Sequence, residues 1–153
     1  MKELVERYIY KDGRLISKVT GNIADTHLNV AGYRRVSWDR GNRGRVREFA
    51  HRVIWYMHHG DIPEGYVVGH KNGDHLDNRI ANLRMLTQGQ NLQNMRKRGY
   101  SWDKREGKYR AEIHPNYKCM QLGFFNTKEE ARAAYLKAKR KLHMFAEEHV
   151  LKD

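Results

Sequence analysis

The chain has 153 residues, enough for one compact domain or two small ones. Its 30 Lys and Arg outweigh 18 Asp and Glu for a net charge of +12. The excess is spread as +5 over residues 1–50, +3 over 51–98 and +4 over 99–153, which points to contact with a polyanion along the chain rather than to a basic tail. Cys119 is the one cysteine, so an intramolecular disulfide and a cysteine-rich zinc site are excluded and a reducing cytoplasm is expected; no apolar run is long enough to span a membrane, and Met1–Arg7 lacks the apolar run of a signal peptide.

Tyr8-Ile9-Tyr10 and Leu15-Ile16 flank Asp12-Gly13, a hairpin signal. Residues 29–38 read as one further strand, and Arg40–Arg45 as an exposed basic hairpin tip offering Arg43 and Arg45 to phosphate. Residues 50–59 predict a helix with Val53, Ile54 and Met57 on one face and Gly60 at its end. Tyr66-Val67-Val68 and Leu83–Leu86 read as paired strands. Thr87 and Gln90 match a capping box for a helix that carries Asn91 and runs to the basic stretch Arg96-Lys97-Arg98. Beyond Gly99, residues 100–102, 108–114 and 118–125 read as three strands. A second capping box, Thr127 to Glu130, opens a helix reaching about Glu148, with Ala131, Ala134, Tyr135, Ala138 and Leu142 on one face. The fold class is therefore α+β, with units expected at 1–98 and 99–153.

His70 follows a buried strand and precedes the polar turn Lys71-Asn72-Gly73-Asp74. A histidine titrates near neutrality and can act as a general base, provided an acceptor on its other ring nitrogen fixes the tautomer. Gly-His-Lys-Asn-Gly-Asp, then Asp77-Asn78-Arg79-Ile80-x-Asn82-Leu83-Arg84, then the Asn91 run behind a capping Thr, resemble the HNH homing endonucleases of phages, whose core is called ββα-metal. Residues 8–98 carry the resemblance, including Ala50-His51-Arg52 upstream. It implies a metal-dependent endonuclease that nicks or cleaves double-stranded DNA, working as a monomer in a host bacterial cytoplasm. His70 would be the base, Asn82 its partner, and Asn91 an oxygen ligand for Mg²⁺ or Mn²⁺. Gly69 departs from the family, which commonly has a metal ligand there. Either Asn91, phosphate and waters hold the cation, or Asp74 reaches in, or the core is a degenerate nuclease in a DNA-binding protein. His51 is expected to pack beside the site. His58, His59 and His75 are read as exposed or loop histidines.

Residues 99–147 resemble the DNA-binding domain of plant apetala and ethylene-response factors, through Gly99-Tyr100-Ser101-Trp102, Gly107–Ile113, Leu122–Phe125 and Thr127–Ala131. In that family the sheet lies in the major groove. Strand alternation puts Lys108, Arg110, Glu112 and His114 on one face, with Trp102, Lys104, Arg105, Lys118 and Gln121 expected to join them. Lys71, Arg96, Lys97 and Arg98 complete the expected DNA contacts.

Overall fold

The computed structural model describes residues 1–152. It is α+β, with four small antiparallel sheets and few helices, and divides into two compact units, Met1–Leu86 and Thr87–Asp153.

In the first unit, a short helix α1 (Lys2–Val5) leads into the hairpin β1 (Tyr8–Lys11) and β2 (Arg14–Ser17). Asp12 and Gly13 both have positive φ (46° and 79°), the backbone a two-residue hairpin turn requires. A second sheet comprises β3 (His27–Leu28), β4 (Arg34–Asp39) and β5 (Arg45–Phe49), in that order. The strand expected over 29–38 begins only at Arg34. Ahead of it the Asn29 side chain accepts from the Tyr33 N–H (2.8 Å), and this local bond turns the chain before the ladder starts.

Helix α2 (Ala50–His59) follows β5 without a break, and Gly60 closes it at φ 81°. Its Ala50, Val53 and Ile54 are fully buried against Leu4, Leu15 and Val36. Val53 and Ile54 each contribute about 1.5–3 kcal/mol through burial. Strands β6 (Tyr66–His70) and β7 (Leu83–Thr87) pair with each other and bring Val68 and Leu83 into the same core.

In the second unit, helix α3 (Gln88–Gln93) starts at the capping box: Thr87 accepts from the Gln90 N–H and Gln90 from the Thr87 N–H. It is shorter than expected, ending at Asn94 rather than near Gly99. Three strands follow, β8 (Tyr100–Asp103), β9 (Lys108–Ile113) and β10 (Met120–Phe125), with β9 central. Helix α4 (Lys128–Leu142) opens at the Thr127–Glu130 capping box and packs Ala131, Tyr135 and Leu136 onto the sheet face that carries Ala111 and Ile113. It stops at His143, short of the expected Glu148.

The division falls at Leu86/Thr87, where the sequence suggested residue 98. The reason is polar. Lys139, 1% exposed, donates to the Met95 carbonyl (2.7 Å), the Phe145 N–H to Gln93 Oε1 (3.2 Å) and the Glu147 N–H to Asn94 Oδ1 (3.0 Å). These bonds tie the α3 segment to the C-terminal chain. Burial pushes the Lys139 ammonium down to about 8, with Arg132 and Lys97 adding repulsion.

Gly99 has φ +80°, and a Cβ there would fall 2.0 Å from the Tyr135 ring. Gly99→Ala therefore forces the helix off the sheet. It is expected to cost at least about 2 kcal/mol, combining overpacking with a left-handed backbone. A drop in the urea midpoint of the intact protein measures it, and an unchanged midpoint would show that Tyr135 does not hold α4 down.

Candidate active site

His70 ends β6 and is 5% exposed. Its Nε2 lies 2.8 Å from Oδ1 of Asn78, which is itself 1% exposed. An amide oxygen only accepts, so Nε2 carries the proton and Nδ1 carries the lone pair of a base. The sequence reading gave this orienting task to Asn82. Asn82 does something else. Its Nδ2 donates to Asn72 Oδ1 (2.9 Å) and the Asp77 carbonyl (2.8 Å), its Oδ1 accepts from the Asn72 N–H (3.1 Å), and its carbonyl accepts from the Lys71 N–H (2.8 Å). Asn82 thus clamps both ends of the loop between His70 and Asn78. The motif contains both asparagines, and only the fold tells which one meets the ring.

The N-terminal hairpin buttresses this loop. The Ile80 N–H donates to the Tyr10 hydroxyl (3.2 Å), and Gly13 lies so close that a Cβ there would sit 2.8 Å from the Arg79 nitrogen. Arg79 forks onto Asp77 (2.7 and 2.8 Å) and holds that carboxyl at about 2.

Aromatic rings surround His70. The His51 ring centroid is 5.1 Å away, His75 5.8 Å and Tyr33 6.0 Å. His75 lies flat on Tyr33 (4.0 Å, 14°), with Tyr33 Oη 3.0 Å from His75 Nε2. It is a loop histidine, as read, but one whose ring is stacked beside His70. His51 packs beside the site as expected, and its Nδ1 has no hydrogen-bond partner among the described residues. His58 stacks edge-on to Tyr10 (4.7 Å) and His59 against Trp55 (4.3 Å), both away from this cluster.

Burial lowers the His70 pKa. The Asn78 bond opposes that shift, His75 adds to it, and Asp74 and Asp77 oppose it. The ring stays neutral, and hence able to take a proton, below the usual histidine range.

Oxygen donors near the base are sparse. Gly69 is buried and offers none. Asp74 accepts from the Leu76 N–H through Oδ1 (2.9 Å). Among the described residues, no group of three His, Cys, Asp or Glu side chains around His70 is close enough to hold a cation. A hard cation here would rely on few protein ligands, waters and substrate oxygens. Asn91 stands on α3, directly after β7 in the chain.

The expected DNA contacts fall in three groups. Arg43 and Arg45 are exposed at the β4–β5 tip, as read. Lys71 is exposed, but its Nζ donates to the Ala81 carbonyl (2.7 Å), so part of its work is structural. In the second unit, Arg96, Lys97 and Arg98 line a cavity of about 530 Å³ with Tyr100, Lys128 and Arg132. On the sheet, the register places Lys108, Arg110, Glu112 and Gln121 on the outward face, beside Ser101 and Asp103. His114 and Lys118 flank that face, and Lys104 and Arg105 occupy the β8–β9 turn. Trp102 does not join them. It pairs with Tyr109, so it shares the face that carries Ala111, and its ring meets Tyr109 at 4.9 Å. Arg110 lies between Asp103 (4.0 Å) and Glu112 (3.3 Å).

Burial, with repulsion from His70, Arg52 and His75, pushes His51 down to about 3. The unfolded chain protonates this group near 6.5 and the folded chain only near 3. Its contribution is complete above 6.5 and is lost as pH falls, at up to about 1.4 kcal/mol per pH unit. Urea titrations stepped down from pH 6.5 towards 3 should show that slope, and His51→Gln should flatten it. Equal slopes in the two proteins would place the acid sensitivity elsewhere.

Comparison with known proteins agrees with this geometry. Residues 48–93 match the family model described as HNH endonuclease. The DNA endonuclease I-HmuI of Bacillus phage SP01 is 31% identical over 57% of this chain and 49% of its own. The SPbeta prophage-derived protein YosQ of Bacillus subtilis (strain 168), named for HNH homing endonucleases, is 29% identical over 55% of this chain and 49% of its own. Protein 3.8 of Escherichia phage T7 is 30% identical over 41% of this chain and 59% of its own. The chain thus spans about half the length of the curated relatives it matches. The solved structure from work on DNA binding and cleavage by the HNH homing endonuclease I-HmuI aligns over 94% of this chain and 88% of that one. Its TM-score is 0.50 at 22% identity, a likeness of fold. Residues 48–93, which hold His70, Asn78, Asn82 and Asn91, thus match the HNH endonuclease domain pattern.

Proposed function

We propose that this protein is a DNA endonuclease whose first unit hydrolyses a phosphodiester with His70 as general base. The supporting observation is the buried His70–Asn78 bond, which commits Nε2 to donation and leaves Nδ1 the lone pair that removes a proton from water. Asn78 is a positioning residue, and Asn82 holds the loop that presents it. The attack builds charge on the phosphate. Asn91 with phosphate oxygens and waters, or alternatively Asp74, would hold Mg²⁺ or Mn²⁺, which when bound would offset that charge and the charge on the leaving oxygen. The spread positive charge draws the protein to double-stranded DNA through its backbone. The second unit is assigned the reading task, as an apetala-type sheet whose outward face presents Lys108, Arg110, Glu112 and Gln121 to base edges.

A second reading rests on Gly69, which puts no donor where the family commonly has a ligand. On that reading the protein binds DNA with a degenerate, inactive core.

Cleavage of a large genomic DNA substrate with Mg²⁺ or Mn²⁺ separates the two. His70→Ala is expected to lower the rate by about 10²–10⁴-fold while binding is retained. Uncut DNA with the wild-type protein at every metal concentration would favour the second reading, and equal rates for wild type and His70→Ala would remove His70 as base.

The role of Asn78 has its own readout. In Asn78→Asp a carboxylate accepts from the same ring nitrogen and favours the charged ring, so the His70 pKa rises. The acidic limb of the pH–rate profile should move to higher pH. A lower rate with an unmoved limb would mean that Asn78 only shapes the loop.

A further inference from the structure

The second unit gathers three chemically different metal-binding side chains that the proposed hydrolysis at His70 does not use, although Glu112 also lies on the sheet face proposed to meet DNA. Glu112 sits on β9, His114 follows that strand, and Cys119 precedes β10. One donor atom from each lies within 4.8 Å of the other two, and Cys119 Sγ is 4.0 Å from Glu112 Oε2. A tetrahedral zinc site with Zn–S near 2.3 Å and Zn–O near 2.1 Å sets donor–donor spans of about 3.6 Å. The group is therefore within a small side-chain adjustment of a coordination shell. We propose that Glu112, His114 and Cys119 form a binding site for a borderline divalent cation, Zn²⁺ in class, clipping together the two ends of the β9–β10 connection.

The donor chemistry sets the class. A thiolate and an imidazole favour zinc over magnesium, and three protein ligands leave a fourth position for water or a phosphate oxygen. The site is thus distinct from the hard-cation chemistry proposed for His70. All three side chains reach solvent, Glu112 in part, so the ion has a path in. Glu112 now sits 3.3 Å from Arg110, whose Nε has no hydrogen-bond partner among the described residues. Metal binding would recruit the Glu112 carboxylate and release Arg110 from this pair on the outward sheet face. Loading the cation would also exchange the thiol proton for the metal, so binding releases a proton and weakens in acid.

Because Cys119 is the one cysteine in the chain, a thiolate-to-metal signal reports this place alone. The intact protein, stripped by chelator, is titrated with Co²⁺ and followed by absorption. A near-ultraviolet thiolate-to-cobalt band with intense visible bands of tetrahedral cobalt is expected, displaced by Zn²⁺. Cys119→Ser, an exposed and nearly isosteric change, should abolish the ultraviolet band with unaltered circular dichroism. His114→Gln and Glu112→Gln should each shift the titration to higher Co²⁺. No band in the wild type overturns the proposal, and so does a band that survives both His114→Gln and Glu112→Gln, since Cys119 would then bind alone or between molecules. The DNA-cleavage assay does not enter this test, so the nuclease reading and the cation site fail separately.

Discussion

The bond from the His70 ring to the Asn78 amide is the interaction around which the first unit is arranged. A neutral hydrogen bond of this kind is worth only about 1 kcal/mol net, but leaving either buried partner unpaired costs about 1–3 kcal/mol. The fold therefore has to bring Asn78 to the ring with little latitude. It does so through backbone contacts. Gly13 lets the hairpin turn press against Arg79, Tyr10 accepts from Ile80, and Asn82 ties Lys71, Asn72 and Asp77 together. The N-terminal hairpin is by this account a brace for the loop that orients the His70 ring.

The surroundings of His70 set two opposing demands. Burial and the neighbouring His75 favour the neutral ring, the form a proposed base needs before reaction. Asp74, Asp77 and the Asn78 oxygen favour the charged ring, the form such a base would take after accepting a proton. A base works best when neither form is held too firmly. His51 sits on the extreme side of this balance, too buried to titrate in any ordinary range, so it serves as an uncharged wall against which His70 is packed.

Much of this was legible in the sequence. The Asp12-Gly13 turn, α2, the β6–β7 pair, both capping boxes and the three-stranded sheet lie where local chemistry placed them, because each is decided by a few adjacent residues. His70 was legible as the candidate base because the motif spacing is specific, and the structure places it at the buried end of β6. The parts that were not legible depend on distant partners. Asn78 and Asn82 have the same side chain, so nothing local distinguishes the one that meets the ring from the one that clamps the loop. His75 is a loop residue, as read, but its stacking on Tyr33, 42 positions away, has no local signal. Trp102 was placed on the wrong face because alternation fixes faces within a strand, whereas the pairing to Tyr109 fixes them between strands. Helices α3 and α4 end early since their termini answer to C-terminal contacts, not to propensity.

The boundary at Leu86/Thr87 places α3, which bears Asn91, in the second unit. Asn91 follows the nuclease strands in sequence, but the segment that bears it is fastened within the second unit, where the chain just after it is held by Lys139, Phe145 and Glu147. Lys139 is the telling group. A lysine 1% exposed, with its ammonium pushed down to about 8, is costly, and it is retained by a 2.7 Å bond to the Met95 carbonyl. Such a group fixes one position of the backbone because a buried ammonium left without its carbonyl would carry a large desolvation cost. The stability of the Asn91 helix is thereby coupled to folding of the sheet and α4. A chain built this way holds Asn91, the proposed metal ligand, on a segment whose order depends on the sheet and α4 of the same unit.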